Sequence, residues 1–277
     1  MTERFAFVHL HKSGGSFVSA FLVCFFPSAV RIGYHYPVAH LPVAYQGLPV
    51  LGSVRNPWDV YVSYYFFQLA LLENARARNA AMSAEELEAW IAAGNDPLNG
   101  IDVVFEELSE GGSLDFATTT RRLLDLGVDD ALLDRVLELM PTTLDRRGRS
   151  TPPQTRDFRG MNVRADDLAT IRGTGEGFYS FLFRHLFGDG TAGDADGAHF
   201  LRTESLRDDL LDYLSLRGVA VTPEMESFVR RSERVNTSQH KPSTSYYDPQ
   251  LGGLVRERDG GLVKHFGYHF DHGVPTP

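Results

Sequence analysis

FAFVHLHKSGGSFVSAF, Phe5 to Phe21, carries an apolar run straight into Lys12 and a pair of glycines before apolar residues resume. Residues 4–10 (RFAFVHL) mix alternating and continuous apolar character, which predicts a strand. The turn Lys12, Ser13, Gly14, Gly15, Ser16 follows, and the residues beyond it read as a helix that is apolar on all sides and therefore buried. Strand, glycine turn and helix in succession is the unit from which α/β sheets are built.

The same pattern recurs along the chain. VRIGYH (30–35) and PVLGSV (49–54) are predicted strands, and Asn56 with Pro57 starts a helix whose Trp58, Tyr61, Tyr65 and Leu69 fall at helical spacing. Ser83 to Glu86 (SAEE) is a capping box for a helix through Ala93, closed by Gly94, and residues 129–140 form another helix stopped by Pro141. From there to Arg172 the chain is rich in Pro, Gly and Thr, with arginines at 146, 147, 149, 156, 159, 164 and 172, and reads as a long surface excursion. Regular structure resumes with GFYSFLFRHLFG (177–188), a strand AHFLRT (198–203), a helix LRDDLLDYLSLR capped by Ser205, and a last helix opened by Thr222 and Pro223. Strands alternating with helices predict a mostly parallel sheet flanked by helices. The expectation is one domain over residues 1–277 with a variable helical and loop insert at 95–175.

Composition narrows the function classes. With 43% hydrophobic and 12% aromatic residues, the 277-residue chain can fill a sizeable core. A net charge of −9 argues against non-specific attraction to nucleic acid or to anionic membrane, so any anion site must be local. Cys24 is the single cysteine, which leaves no internal disulfide and suits a reducing, cytoplasmic compartment; its apolar neighbours predict burial. FVSAFLVCFF (17–26) is ended by Pro27 and falls well short of the roughly 20 residues a membrane span needs, so no stable membrane insertion is expected. A strand that begins at Arg4 leaves no room for a leader. The histidines lack the H-E-x-x-H spacing, so no metal centre is expected.

A glycine-rich turn between strand and helix aims several backbone N–H groups at one spot, and the helix dipole favours an anion there. Lys12 adds a point charge. In a Walker A loop the lysine follows the last glycine, whereas here it precedes Gly14 and Gly15, which disfavours an ordinary kinase or NTPase. In SVRNPWDVYVSYY (Ser53 to Tyr65), Arg55 at the predicted end of a strand offers a guanidinium fork and Ser63 a hydroxyl. Ligands of open parallel sheets bind outside the strand carboxyl ends, so Lys12 and Arg55 together suggest a ligand with two separated phosphates.

These residues carry a family resemblance. HLHKSGGSF (9–17) resembles the 5′-phosphosulfate loop of sulfotransferases, H-x-P-K-[TS]-G-[GT]-[TS], and SVRNPWDVYVSYY resembles their 3′-phosphate motif, R-[ND]-P followed by a serine and a tyrosine. FLRTESLRDDL (200–210), RVNTSQHKPSTSYYD (234–248) and the closing FGYHF are weaker likenesses to the carbohydrate-type and bacterial branches. His11 stands where the family often has proline, and residues 95–175 match nothing.

The resemblance implies a P-loop-like fold and transfer of a sulfuryl group from 3′-phosphoadenosine 5′-phosphosulfate (PAPS) to a hydroxyl, releasing 3′,5′-bisphosphoadenosine without a metal. Lys12 would stabilise the leaving phosphate, and His35, or else His40, in IGYHYPVAHLP (32–42) would take the acceptor proton. The donor would meet Lys12, Ser13, Gly14, Gly15, Ser16, Phe17, Arg55 and Ser63, with Thr237 and Ser238, and beside them Lys241, closing over it. The resemblance of the tail motifs favours a carbohydrate or glycolipid hydroxyl as acceptor, with a small-molecule hydroxyl as the alternative. Two rival readings stay open: a P-loop nucleotide or small-molecule kinase, and a non-catalytic protein that keeps the donor loops.

Overall fold

A computed structural model describes residues 5–26, 30–31, 35, 37–41, 43–93, 103–109, 115–139, 163, 165–188, 198–232 and 240–270. The described chain is mostly helical with a small parallel sheet, and it divides into two compact units. One holds the described residues of Met1–Asn56 and Leu182–Thr237; the other holds those of Pro57–Ser150, Val163–Phe181 and Ser238–Pro277.

The first unit contains the sheet. Strands β1 (Ala6–His9), β2 (Val30–Arg31), β3 (Val50–Val54) and β4 (Ala198–Arg202) are all parallel in the order β2-β1-β3-β4, with Ala6 opposite both Val30 and Val50, and Val50 opposite Ala198. From β1 the chain goes to one side of the sheet and then returns past β1 to build β3 on the other. The topological switch point, where open α/β sheets hold ligands, therefore lies between the carboxyl ends of β1 and β3.

Helix α1 (Gly15–Phe25) buries Phe17, Val18, Phe21 and Leu22. Its opposite stripe, Ser16, Ala20, Val23 and Cys24, is exposed. This corrects the expectation of an all-round buried helix and a buried Cys24: the helix is covered on one side only, by the sheet core and by Phe228. Helices α9 (Leu206–Leu216) and α10 (Pro223–Arg231) complete the unit's core through Leu210, Leu214 and Val229. Thr222 caps α10 by accepting from Met225 N, whereas Ser205 makes no side-chain cap for α9. Here Asp209, in the first turn of α9, turns back to accept from Arg202 N at 2.7 Å.

The second unit is helical: α2 (Pro57–Ala80), α3 (Ala84–Ala92), α4 (Val103–Leu108), α5 (Phe116–Asp125), α6 (Asp130–Leu139), α7 (Ala165–Ala169), the start of α8 (Phe178–Phe187), α11 (Pro249–Arg258) and α12 (Gly260–Phe266). The capping box of α3 forms as expected, with Ser83 N to Glu86 Oε2 at 2.8 Å and Glu86 N to Ser83 Oγ at 3.2 Å. Tyr64 and Tyr65 are core residues, packed on Phe105, Phe116 and Phe178.

One buried polar knot organises this unit. Asp259 at the α11–α12 junction has no exposed surface and accepts from Tyr61 Oη at 2.8 Å and from Ser180 N at 2.9 Å. Tyr61 Oη in turn accepts from Tyr179 N at 3.2 Å. Burial pushes the Asp259 carboxyl up to about 6 despite these donors, because desolvation disfavours the charged form. Among the described residues no helix is long and apolar enough to cross a membrane.

Candidate functional site

The loop after β1 leaves the strand at Leu10, whose N–H still pairs with Ser53 O at 3.3 Å, and turns sharply. Lys12 has φ +61° and Gly14 φ +78°, both left-handed. A left-handed lysine costs about 1–2 kcal/mol, and such strain collects where the backbone shape serves a site. A Cβ at Gly14 would also lie 2.6 Å from Leu206 Cδ2, a side-chain tip that would have to shift to admit it.

The side chain of Ser13 is turned inward. It is fully buried, donates to Leu10 O at 2.6 Å and shares a hydrogen bond with the buried Ser53 hydroxyl at 2.8 Å. Only the main chain of Ser13 can serve a ligand. The first hydrogen bond of α1 runs from Phe17 N to Gly14 O at 3.0 Å, so the N–H groups of Ser13, Gly14 and Gly15 stand ahead of the helical ladder, as an anion cradle requires. Ser16 is exposed at the helix start, and the ring of Phe17 belongs to the core, packed on Phe228 and under the Arg207 guanidinium.

Arg55 reaches this loop from the end of β3. Its Nη1 donates to Lys12 O at 3.2 Å, so the guanidinium meets the main chain of Lys12 at the switch point. Burial, and then the charge of Arg55, pull the Lys12 ammonium down to about 8. An anion between the two groups would relieve that repulsion. The strand end is itself clamped from the 3₁₀ turn Thr203–Ser205 that follows β4: Thr203 Oγ1 donates to Val54 O at 2.9 Å, and Glu204 Oε1 accepts from Asn56 N at 2.7 Å. FLRTES thus supplies positioning groups on both sides of Arg55 that the sequence reading assigned no role.

His35 stands with φ +63° in the stretch after β2, and its ring stacks on His11 with centroids 3.3 Å apart and planes 13° from parallel. His40 ends a short 3₁₀ turn, Val38–His40. Ser63 lies in α2 of the second unit, 3% exposed. Thr237 and Ser238 lie outside the described residues. Lys241 is exposed, its N–H donating to Tyr246 Oη at 3.0 Å, and the neighbouring His240 stacks on Phe66. No group of three or more potential metal ligands is found among the described residues. No protein-family model, curated protein or solved structure matches this chain.

Proposed function

We propose that this chain is a PAPS-dependent sulfotransferase of P-loop-like fold, acting on a hydroxyl of a carbohydrate, glycolipid or small-molecule acceptor. The observation that carries the reading is the contact of Arg55 with the main chain of Lys12. It joins a glycine turn with N–H groups ahead of the helical ladder, an ammonium and a guanidinium in one corner at the switch point of a parallel sheet.

When bound, PAPS supplies the sulfuryl group: the acceptor oxygen bonds to sulfur as the bridging S–O bond to the 5′-phosphate breaks, the electron pair leaving with the phosphate. Lys12 and the turn N–H groups are preorganised to stabilise charge on that leaving oxygen without reorganising at the moment of reaction. Lys12 remains protonated at neutral pH, since its lowered value of about 8 is above 7. His35 takes the acceptor proton, with His40 as the second candidate. The kinase reading lacks the lysine-after-glycine order that it needs.

Calorimetric titration with 3′,5′-bisphosphoadenosine, beside ATP with magnesium, on wild type, Lys12→Ala and Arg55→Ala tests the proposal. Metal-independent binding of the bisphosphate that weakens in both variants is expected. No binding, or a preference for ATP with magnesium, would overturn it.

A further inference from the structure

We infer that His11 is a positioning residue for His35, holding the face of the His35 imidazole by stacking. The inference rests on the sulfotransferase reading in giving His35 the acceptor proton; the stack itself is an independent observation.

Among the described residues, the non-glycine residues with positive φ are Lys12 and His35. One directly follows His11, and the other is its stacking partner. Two left-handed residues in separate loops therefore converge on one ring pair, which links the loop after β1 to the stretch after β2. Histidine tolerates the left-handed region better than most side chains, yet the conformation persists only where its surroundings over-determine it. With centroids 3.3 Å apart and planes 13° from parallel, the rings are in van der Waals contact over their full face. A base held on one face keeps its nitrogens in a fixed plane, which is the orientation that proton abstraction needs.

In the step assigned to it, His35 receives the acceptor hydroxyl proton on a ring nitrogen, and the resulting imidazolium lies against the face of the His11 ring. His11 touches neither reactant in this role. A proline in its place could not stack as an aromatic ring does, so the residue that departs from the family pattern is the one that supports His35.

The test uses the full chain with His11→Ala, His11→Phe and His35→Ala. Three readouts are compared: affinity for 3′,5′-bisphosphoadenosine, the NMR resonances of the carbon-bound His35 ring protons, and the slow hydrolysis of PAPS with water as acceptor. In His11→Ala the ring-current shift of His35 is expected to disappear and hydrolysis to fall roughly tenfold to a hundredfold, with bisphosphate affinity unchanged. His11→Phe, which keeps a flat ring without a titrating nitrogen, is expected to restore both. An unmoved His35 resonance in His11→Ala, or a lost rate that His11→Phe leaves unrescued, overturns the positioning role. Failure of the wild type to bind the bisphosphate instead overturns the sulfotransferase reading, and the resonance shift still reports whether the stack exists.

Discussion

The hydroxyls of Ser13 and Ser53 lie 2.8 Å apart, both fully buried, and tie the glycine turn to the neighbouring strand. Because Ser13 also donates to Leu10 O, this one side chain fixes the turn to its own strand and to the next. Ser13→Ala would leave the Leu10 carbonyl and the Ser53 hydroxyl short of a partner, at a cost of about 1–3 kcal/mol. Urea unfolding measures it. Ser13→Ala as stable as wild type would mean that the turn does not depend on this tie.

Bisphosphate binding should take up protons in alkaline solution. The folded protein holds Lys12 at about 8, below its ordinary 10.5, so above pH 8 the ammonium is progressively lost. An anion beside it favours the charged form and raises the value again, so affinity falls as pH rises past about 8. Calorimetry at pH 9 in two buffers of different ionisation enthalpy reads the proton count. Buffer-independent heats would show that the anion does not meet Lys12.

Glu204 accepts from Asn56 N while Thr203 donates to Val54 O, so the two residues flanking Arg55 are held from the turn after β4. Glu204→Ala should weaken bisphosphate binding about fivefold, the value of roughly 1 kcal/mol of lost positioning, although Glu204 is itself an acidic group beside the proposed anion site. Glu204→Gln keeps an acceptor oxygen and should bind like wild type. Tighter binding by both variants would mean that removal of the negative charge outweighs positioning.

Gly14→Ala faces two separate penalties, a left-handed φ of +78° and a Cβ at 2.6 Å from Leu206. Pairing it with Leu206→Ala relieves the steric part only. The double variant should therefore still show the backbone cost of about 1–2 kcal/mol beyond Leu206→Ala alone. Thermal unfolding of the four proteins completes the cycle, and full relief in the pair would show that the turn can adopt another conformation.

Stability of the second unit should fall as pH rises through about 6. In the fold Asp259 binds its proton more tightly than in the unfolded chain, about 6 against 3.8, so its contribution is fully present below pH 3.8 and lost as pH passes through 6. Asp259→Asn can satisfy Ser180 N with its oxygen and turn its amide to Tyr61, and should flatten this slope. Asp259→Ala leaves Tyr61 Oη and Ser180 N without their acceptor and should cost about 2–4 kcal/mol. Melting temperatures from pH 4 to 7 on the three proteins decide it; equal slopes in wild type and Asp259→Asn would locate the proton elsewhere.

Much of the local structure was legible from residue order. The turn at Lys12, the strand ending at Val54, the helix starting at Pro57, the Ser83 box and the Thr222 cap all stand where their residues predict. Helices α5 and α11 have no counterpart among the predicted elements, although Asp115 and Asp248 cap them, accepting from Thr118 N and Leu251 N. An aspartate ahead of an apolar residue was the available signal in both cases. Cys24 and Ser205 went the other way: apolar neighbours do not say which side of a helix is covered, and a serine at a helix start caps only if its hydroxyl turns inward.

By itself, then, the sequence determined what depends on spacing within a few residues: strand, glycine turn, caps, and the residue types able to hold a phosphate. Only the tertiary structure decided that Arg55 touches Lys12, that Ser13 points at Ser53 rather than outward, that His11 lies on His35, and that Asp259 is sealed under Tyr61. Each is a contact between residues far apart in the chain. Those in the first unit follow from the strand order β2-β1-β3-β4, which brings the loop after β1 beside the ends of its two neighbours. Local periodicity encodes that a segment is a strand; which strands lie beside it is settled by how the whole core packs.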